Sequence, residues 1–130
     1  MKRALLVLLL LGCNHPTEKP KSWNTSGVQI DELKVGEGPL ATRGKVVRVD
    51  YSAFLPDGTK FDSTTGRPPL QFQLGEGTVL KGWDVGVEGM RVGGRRKLTV
   101  PPRLAFGDRK VGPINPNSTL VFDVQLVAVR

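Results

Sequence analysis

A chain of 130 residues, 38% of them hydrophobic, is long enough for one domain with its own core. The formal charge is +7, but basic residues are scattered apart from Arg95, Arg96 and Lys97, which lacks the dense stripe of a nucleic-acid binder. One cysteine and one histidine exclude a disulfide framework and a zinc centre built on His and Cys.

The chain opens on Met1-Lys2-Arg3 and an apolar run, "ALLVLLLLG", that ends at Gly12. The run is shorter than the ~20 residues that span a bilayer, and it has the layout of a secretory signal. Cys13 follows directly. "LLGC", Leu10 to Cys13, resembles the lipobox of bacterial lipoproteins, in which the cysteine is acylated after cleavage. The expectation is a signal peptide over 1–12, lipidation at Cys13 and an exported lipoprotein of the bacterial cell envelope, anchored in the membrane and facing the periplasm. Residues 14–26, "NHPTEKPKSWNTS", are polar, proline-bearing and without period. They predict a tether, so that 13–26 link the anchor to a folded unit over 27–130.

Strand patterns follow. "VQIDELKV" runs from Val28 to Val35. In "VVRVDYSAFL" the residues Val47, Val49, Tyr51 and Ala53 share one face, against Arg48, Asp50 and Ser52 on the other. "PDG" at 56–58 is a turn, and Lys60-Phe61 starts the return. "LQFQL" groups Leu70, Phe72 and Leu74. "VLKGWDVGVEGM", Val79 to Met90, then places Leu80, Trp83, Val87 and Met90 at helical steps. Gly82, Gly86 and Gly89 interrupt it, each at about 1 kcal/mol against alanine in a helix interior. Such a helix is expected to lie very close to a sheet. After a Gly93-Gly94 turn, "RRKLTV" turns Leu98 and Val100 inward, and "TLVFDVQLVAV" does the same with Leu120, Phe122, Val124 and Leu126. The connection Pro101–Ser118 has no regular period and carries Leu104, Ala105, Phe106, Val111 and Ile114. A loop that long in a compact domain is functional or disordered, and its apolar content predicts that it packs over something. Several strands and one short helix make an α+β domain.

The inventory leaves little for covalent chemistry. His15 lies in the tether, so no Ser-His-Asp or Cys-His arrangement can form in the domain. "GEG" at 75–77 and "VGG" at 92–94 are turns, without the lysine-serine ending of a phosphate loop. What remains is apolar: Tyr51, Phe61, Phe72, Trp83, Phe106 and Phe122, with Val79, Leu80 and Ile114. A pocket lined by these residues suits a reaction that needs no nucleophile.

"VRVDYSAFLPDGTKFDST", "VLKGWDVGVEGMRVGGRRKLTVPPRLAFG" and "NSTLVFDVQLVAV" resemble, in that order, the FKBP-type peptidyl-prolyl isomerases, the macrolide-binding immunophilins. The resemblance runs from about Gly27 to Val129. It implies a highly twisted antiparallel sheet wrapped around one short helix, with the pocket between them. It also implies peptidyl-prolyl cis-trans isomerisation without cofactor or metal, acting on proline-containing polypeptides. By motif, Trp83 is the floor, with Tyr51 and Asp62 to orient and polarise the substrate and the backbone N–H of Ile114 to donate to its carbonyl. Phe61, Leu70, Phe72, Val79, Leu80, Phe106 and Phe122 are the implied substrate-binding residues. Leu70 stands where many relatives have phenylalanine. Phe106 stands where the family has tyrosine, which implies weakened binding of macrolide inhibitors. A monomer is expected. The competing expectation is a lipid-anchored module that holds proline-containing peptides as chaperone or scaffold with little turnover.

Overall fold

The computed structural model describes residues 21–25 and 27–130. The expected signal peptide over 1–12, Cys13 and most of the expected tether lie outside the described residues. No helix among the described residues is long and apolar enough to cross a membrane.

Among the described residues, seven strands and one α-helix follow in chain order: β1 Lys21–Thr25, β2 Val28–Lys34, β3 Val46–Phe54, β4 Lys60–Ser63, β5 Leu70–Gln73, α1 Lys81–Val87, β6 Arg95–Val100 and β7 Leu120–Val129. They form one sheet in the order β1-β2-β6-β7-β3-β4, with β5 also paired to β3. Every pairing is antiparallel. The α+β class expected from the sequence is the class observed, an antiparallel sheet with a single short helix.

The strand alternation translates directly into a core. Val47, Val49 and Ala53 of β3, Leu98 and Val100 of β6, and Leu120, Phe122, Val124 and Leu126 of β7 are all buried. From the helix side Trp83, Val87 and Met90 close over them, and Phe72 and Leu74 close one end. Leu70, expected in the same row as these two, is 37% exposed at the start of β5.

One boundary is corrected. Residues 21–25, expected as the end of the tether, form β1, paired from Lys21↔Glu32 to Thr25↔Val28. Gly27, at φ +92°, makes the turn into β2, a conformation that glycine adopts without steric cost. The short turn satisfies strand backbone that an extended tether would leave to water. The polar composition of the segment masked a hairpin.

Helix α1 lies against β6 more closely than side chains allow. A Cβ built on Gly82 would sit 2.4 Å from Val100 Cγ1, and one on Gly86 would sit 2.7 Å from Leu98 Cδ1. Leu80 is the residue before the helix, and Gly89, at φ +89°, follows its last cap. Replacing Gly82 with alanine gains helix propensity of about 1 kcal/mol but overpacks a β-branched neighbour, typically at 1–3 kcal/mol. Gly82→Ala is therefore expected to lower the thermal midpoint. A midpoint equal to or above wild type in calorimetry would show that the helix can lift without penalty.

Candidate active site

An apolar cavity of about 230 Å³ opens between α1, β3 and the segment before the helix. Its lining is Tyr51, Ala53, Phe61, Asp62, Leu70, Val79, Leu80, Trp83, Phe106 and Phe122. Trp83, in the first turn of α1, is 4% exposed. Its indole meets Tyr51 edge-on at 4.9 Å and Phe122 edge-on at 5.3 Å, with Phe72 tilted at 5.9 Å. Edge-to-face rings of this kind hold one another at defined angles. The indole Nε1 is buried without a hydrogen-bond partner.

Register explains the polar corner. β3 and β4 pair Ser52↔Ser63 and Ala53↔Asp62, so Asp62 lies diagonal to Tyr51 on the inner face. The Tyr51 hydroxyl donates to Asp62 Oδ2 at 2.6 Å. The other carboxylate oxygen accepts from the Ser63 N–H at 2.8 Å and from Arg67 at 2.8 Å. Arg67 also donates to the Ser63 carbonyl. Buried Thr64 ties the return strand to β3: its N–H donates to the Tyr51 carbonyl at 3.0 Å and its hydroxyl accepts the Tyr51 N–H at 3.0 Å.

The segment before the helix is held from the other side. Asp84 accepts the N–H groups of Gly75 at 2.8 Å and Gly77 at 3.0 Å, which fixes the turn leading to Val79 and Leu80. The long loop supplies the last wall. The Gly107 N–H donates to the Pro102 carbonyl at 2.8 Å, and the Asn117 N–H to the Gly107 carbonyl at 2.7 Å, which folds Phe106 back over the cavity.

A larger groove of about 440 Å³ lies beside β4 and β7, lined by Asp50, Ser52, Thr65, Arg67, Asp123 and Gln125 among others. It is polar, and Arg95 within it is paired with Asp123 at 2.6 Å. Nothing there could desolvate an apolar substrate. The smaller cavity is the candidate site.

A family model for the FKBP-type peptidyl-prolyl cis-trans isomerases matches residues 38–127. The chain belongs to that family. It is 50% identical over 105 residues to FK506-binding protein 4 of Mycosarcoma maydis, covering 81% of this chain and 28% of that protein. It is 50% identical over 117 residues to the 39 kDa FK506-binding nuclear protein of Drosophila melanogaster, covering 88% of this chain and 33% of that one. The chain thus spans about a third or less of these curated relatives. Among solved structures, AtFKBP13 superposes with a TM-score of 0.77 at 36% identity, covering 85% of this chain and 99% of that one.

These relatives correct the expected location. The two curated proteins are eukaryotic, and the Drosophila protein is named for the nucleus, so the expectation of a bacterial-envelope lipoprotein does not stand.

Most residues implied by the family resemblance converge on the cavity, with two exceptions. Phe72 is buried beneath Trp83 and supports the floor without lining the cavity. Ile114 is also buried away from it, and its N–H donates at 2.8 Å to the Val111 carbonyl, while Val111 N–H returns a bond at 3.0 Å to Ile114. The donor expected at Ile114 is therefore occupied within the loop. Among the described residues, the N–H of Leu80 has no protein acceptor, although its carbonyl accepts from Trp83 at 2.9 Å. Its place just before α1 could have revealed it, because the first N–H groups at a helix start lack intrahelical acceptors. Arg67 and Ala53 were also missed. Both lie next to expected residues, but nothing in their types marked them.

Burial, then the bond to Asp62, pushes the Tyr51 hydroxyl up to about 12. The Tyr51 bond in turn holds the Asp62 carboxyl below its ordinary value, assisted by the Ser63 N–H and Arg67. For Asp62 the folded value is depressed, so its contribution to stability is present above about pH 3.9 and lost as pH falls through the folded value. For Tyr51 the folded value is raised. Its contribution is full below about pH 10 and lost as pH rises through 12. Tyr51→Phe is expected to move the Asp62 titration upward, toward about 3.9, in carboxyl-carbon NMR. An unchanged titration would mean that the hydroxyl does not bond Asp62 in solution.

Proposed function

We propose that the cavity accelerates rotation about X-Pro bonds in proline-containing polypeptides by binding the twisted amide without a covalent step. The observation that carries this reading is the pairing of an apolar chamber floored by Trp83 with a backbone donor at its edge, Leu80 N–H, that has no protein acceptor among the described residues. Amide rotation faces a barrier of about 18–20 kcal/mol because resonance must be broken. For X-Pro bonds that barrier makes exchange slow enough to limit folding.

In the twisted state the nitrogen no longer donates into the carbonyl, and the charge-separated resonance form is lost. A dry wall favours that less polar amide over either planar form, and only such differential binding raises the rate. The proline ring stacks on Trp83, between Phe61, Val79 and Phe122. Leu80 N–H holds a substrate carbonyl. Asp62, kept anionic and pinned at both oxygens, orients the chain at the mouth and is not a base waiting for a proton.

Chaperone-like holding with little turnover is the less favoured reading, because Tyr51, Asp62 and Trp83 stand together in contact. FK506-type macrolides are proposed as weak ligands. Phe106 keeps a ring wall but offers no hydroxyl, and one net hydrogen bond is worth about 0.5–1.5 kcal/mol, or roughly two- to tenfold in affinity.

Leu80 has φ −55°, which proline can adopt, and proline has no N–H. Leu80→Ala removes the wall and keeps the donor. Leu80→Pro removes the donor and keeps part of the wall. The proline variant is expected to show a kcat/KM about two- to tenfold below the alanine variant in an X-Pro isomerisation assay, with both folded by circular dichroism. Equal or higher activity for the proline variant would remove Leu80 N–H from the mechanism.

A further inference from the structure

Arg96 belongs to the one basic run in the domain, yet it is only 8% exposed. It occupies the inward row of β6 beside Leu98 and Val100, directly along the track on which α1 rests. Its Nε donates to Glu32 Oε1 at 3.0 Å and its Nη2 to Oε2 at 3.2 Å. Nη1 donates to the carbonyls of Gly86 and Glu88, each at 2.9 Å. Glu32 is its register partner across the β2–β6 ladder. One guanidinium therefore joins two strands and the end of the helix.

The helix needs such a joint. It is seven residues long, has no side-chain cap at its start and no basic residue of its own in its last turn. The final carbonyls of a helix have no partners within it. At Gly82 and Gly86 its underside carries no side chains, and Val100 and Leu98 of β6 fill that space. Trp83 adds no hydrogen-bonded anchor of its own, because Nε1 is unpartnered. The angle of the indole is then set by the rings around it and by where the helix sits. Asp84 ties the front of the helix to the turn at Gly75 and Gly77. Arg96 is the counterpart at the rear.

We propose that Arg96 is a positioning residue for isomerisation: its hydrogen bonds to the carbonyls of Gly86 and Glu88 fix α1 along β6 and so fix the Trp83 floor. The proposal rests on the reading of Trp83 as that floor. A lysine could keep a charge for Glu32, but it has one donor centre in place of a planar fork and cannot span the carboxylate and both carbonyls.

Stability and positioning separate in a double variant of the full chain. Arg96→Leu alone strands Glu32 in the interior and is expected to destabilise strongly, whereas a buried ion pair replaced whole by apolar residues is often neutral. Glu32→Leu with Arg96→Leu should therefore recover much of the midpoint lost in Arg96→Leu, while the Gly86 and Glu88 carbonyls stay without their donor. Its kcat is expected to fall roughly tenfold or more with little change in KM, since misplacement by about 1 Å can cost about a hundredfold. The near-UV dichroism of Trp83 should weaken as well, read in a Trp23→Phe background that leaves one tryptophan. Arg96→Lys is expected to show the same kcat loss in a folded protein, and it serves if the double variant does not fold. Wild-type kcat and an unchanged Trp83 band in either folded variant, while Trp83→Leu lowers turnover, would overturn the positioning role alone. Wild-type turnover in Trp83→Leu would overturn the floor reading, and the proposal with it.

Discussion

Helix α1 rests on β6 at a distance that only glycine permits, with Val100 and Leu98 filling the space that side chains at positions 82 and 86 would need. That approach determines where Trp83 stands. With the helix seated on the strand, the indole fits between Tyr51, Phe72 and Phe122 and forms a floor for the cavity. A helix lifted by even one methyl group would carry the indole with it. The propensity lost at two glycines is offset by the packing that their absence of side chains allows.

Around this contact the polar groups are confined to the edges. Asp62, Tyr51 and Arg67 form a closed set at the mouth, and Asp84 and Arg96 tie the two ends of the helix to its surroundings. The walls between them are aliphatic and aromatic. This division suits a reaction whose transition state is less polar than its ground state. Charges placed in the floor would solvate the planar amide and slow the rotation.

The sequence made the rows of the core legible because period-2 and helical patterns leave clear traces when one face is buried. Val47, Val49, Leu98, Leu120 and Leu126 all lie where their spacing put them. Trp83, Tyr51, Phe61, Asp62, Val79, Leu80, Leu70, Phe106 and Phe122 meet at one cavity, as their motifs implied. What the sequence hid was tertiary. Alternation places Arg96 in the inward row with Leu98 and Val100, but its partners, Glu32 and the helix carbonyls, come from distant positions that no local pattern names. Ile114 offers a donor in an extended loop but not in the folded one, where Val111 takes it. β1 looks like a tether because its pairing, not its composition, makes it a strand.

In the proposed function, catalysis consists of shape and desolvation, with no proton in flight at the barrier. Tyr51 and Asp62, held neutral and anionic respectively across the neutral range, fit that claim. The solvent deuterium isotope effect on kcat/KM for an X-Pro peptide tests it directly. Rotation within an apolar cavity predicts equal rates in light and heavy water. A clearly slower reaction in heavy water would contradict it, because a proton would then be moving in the step that limits the rate.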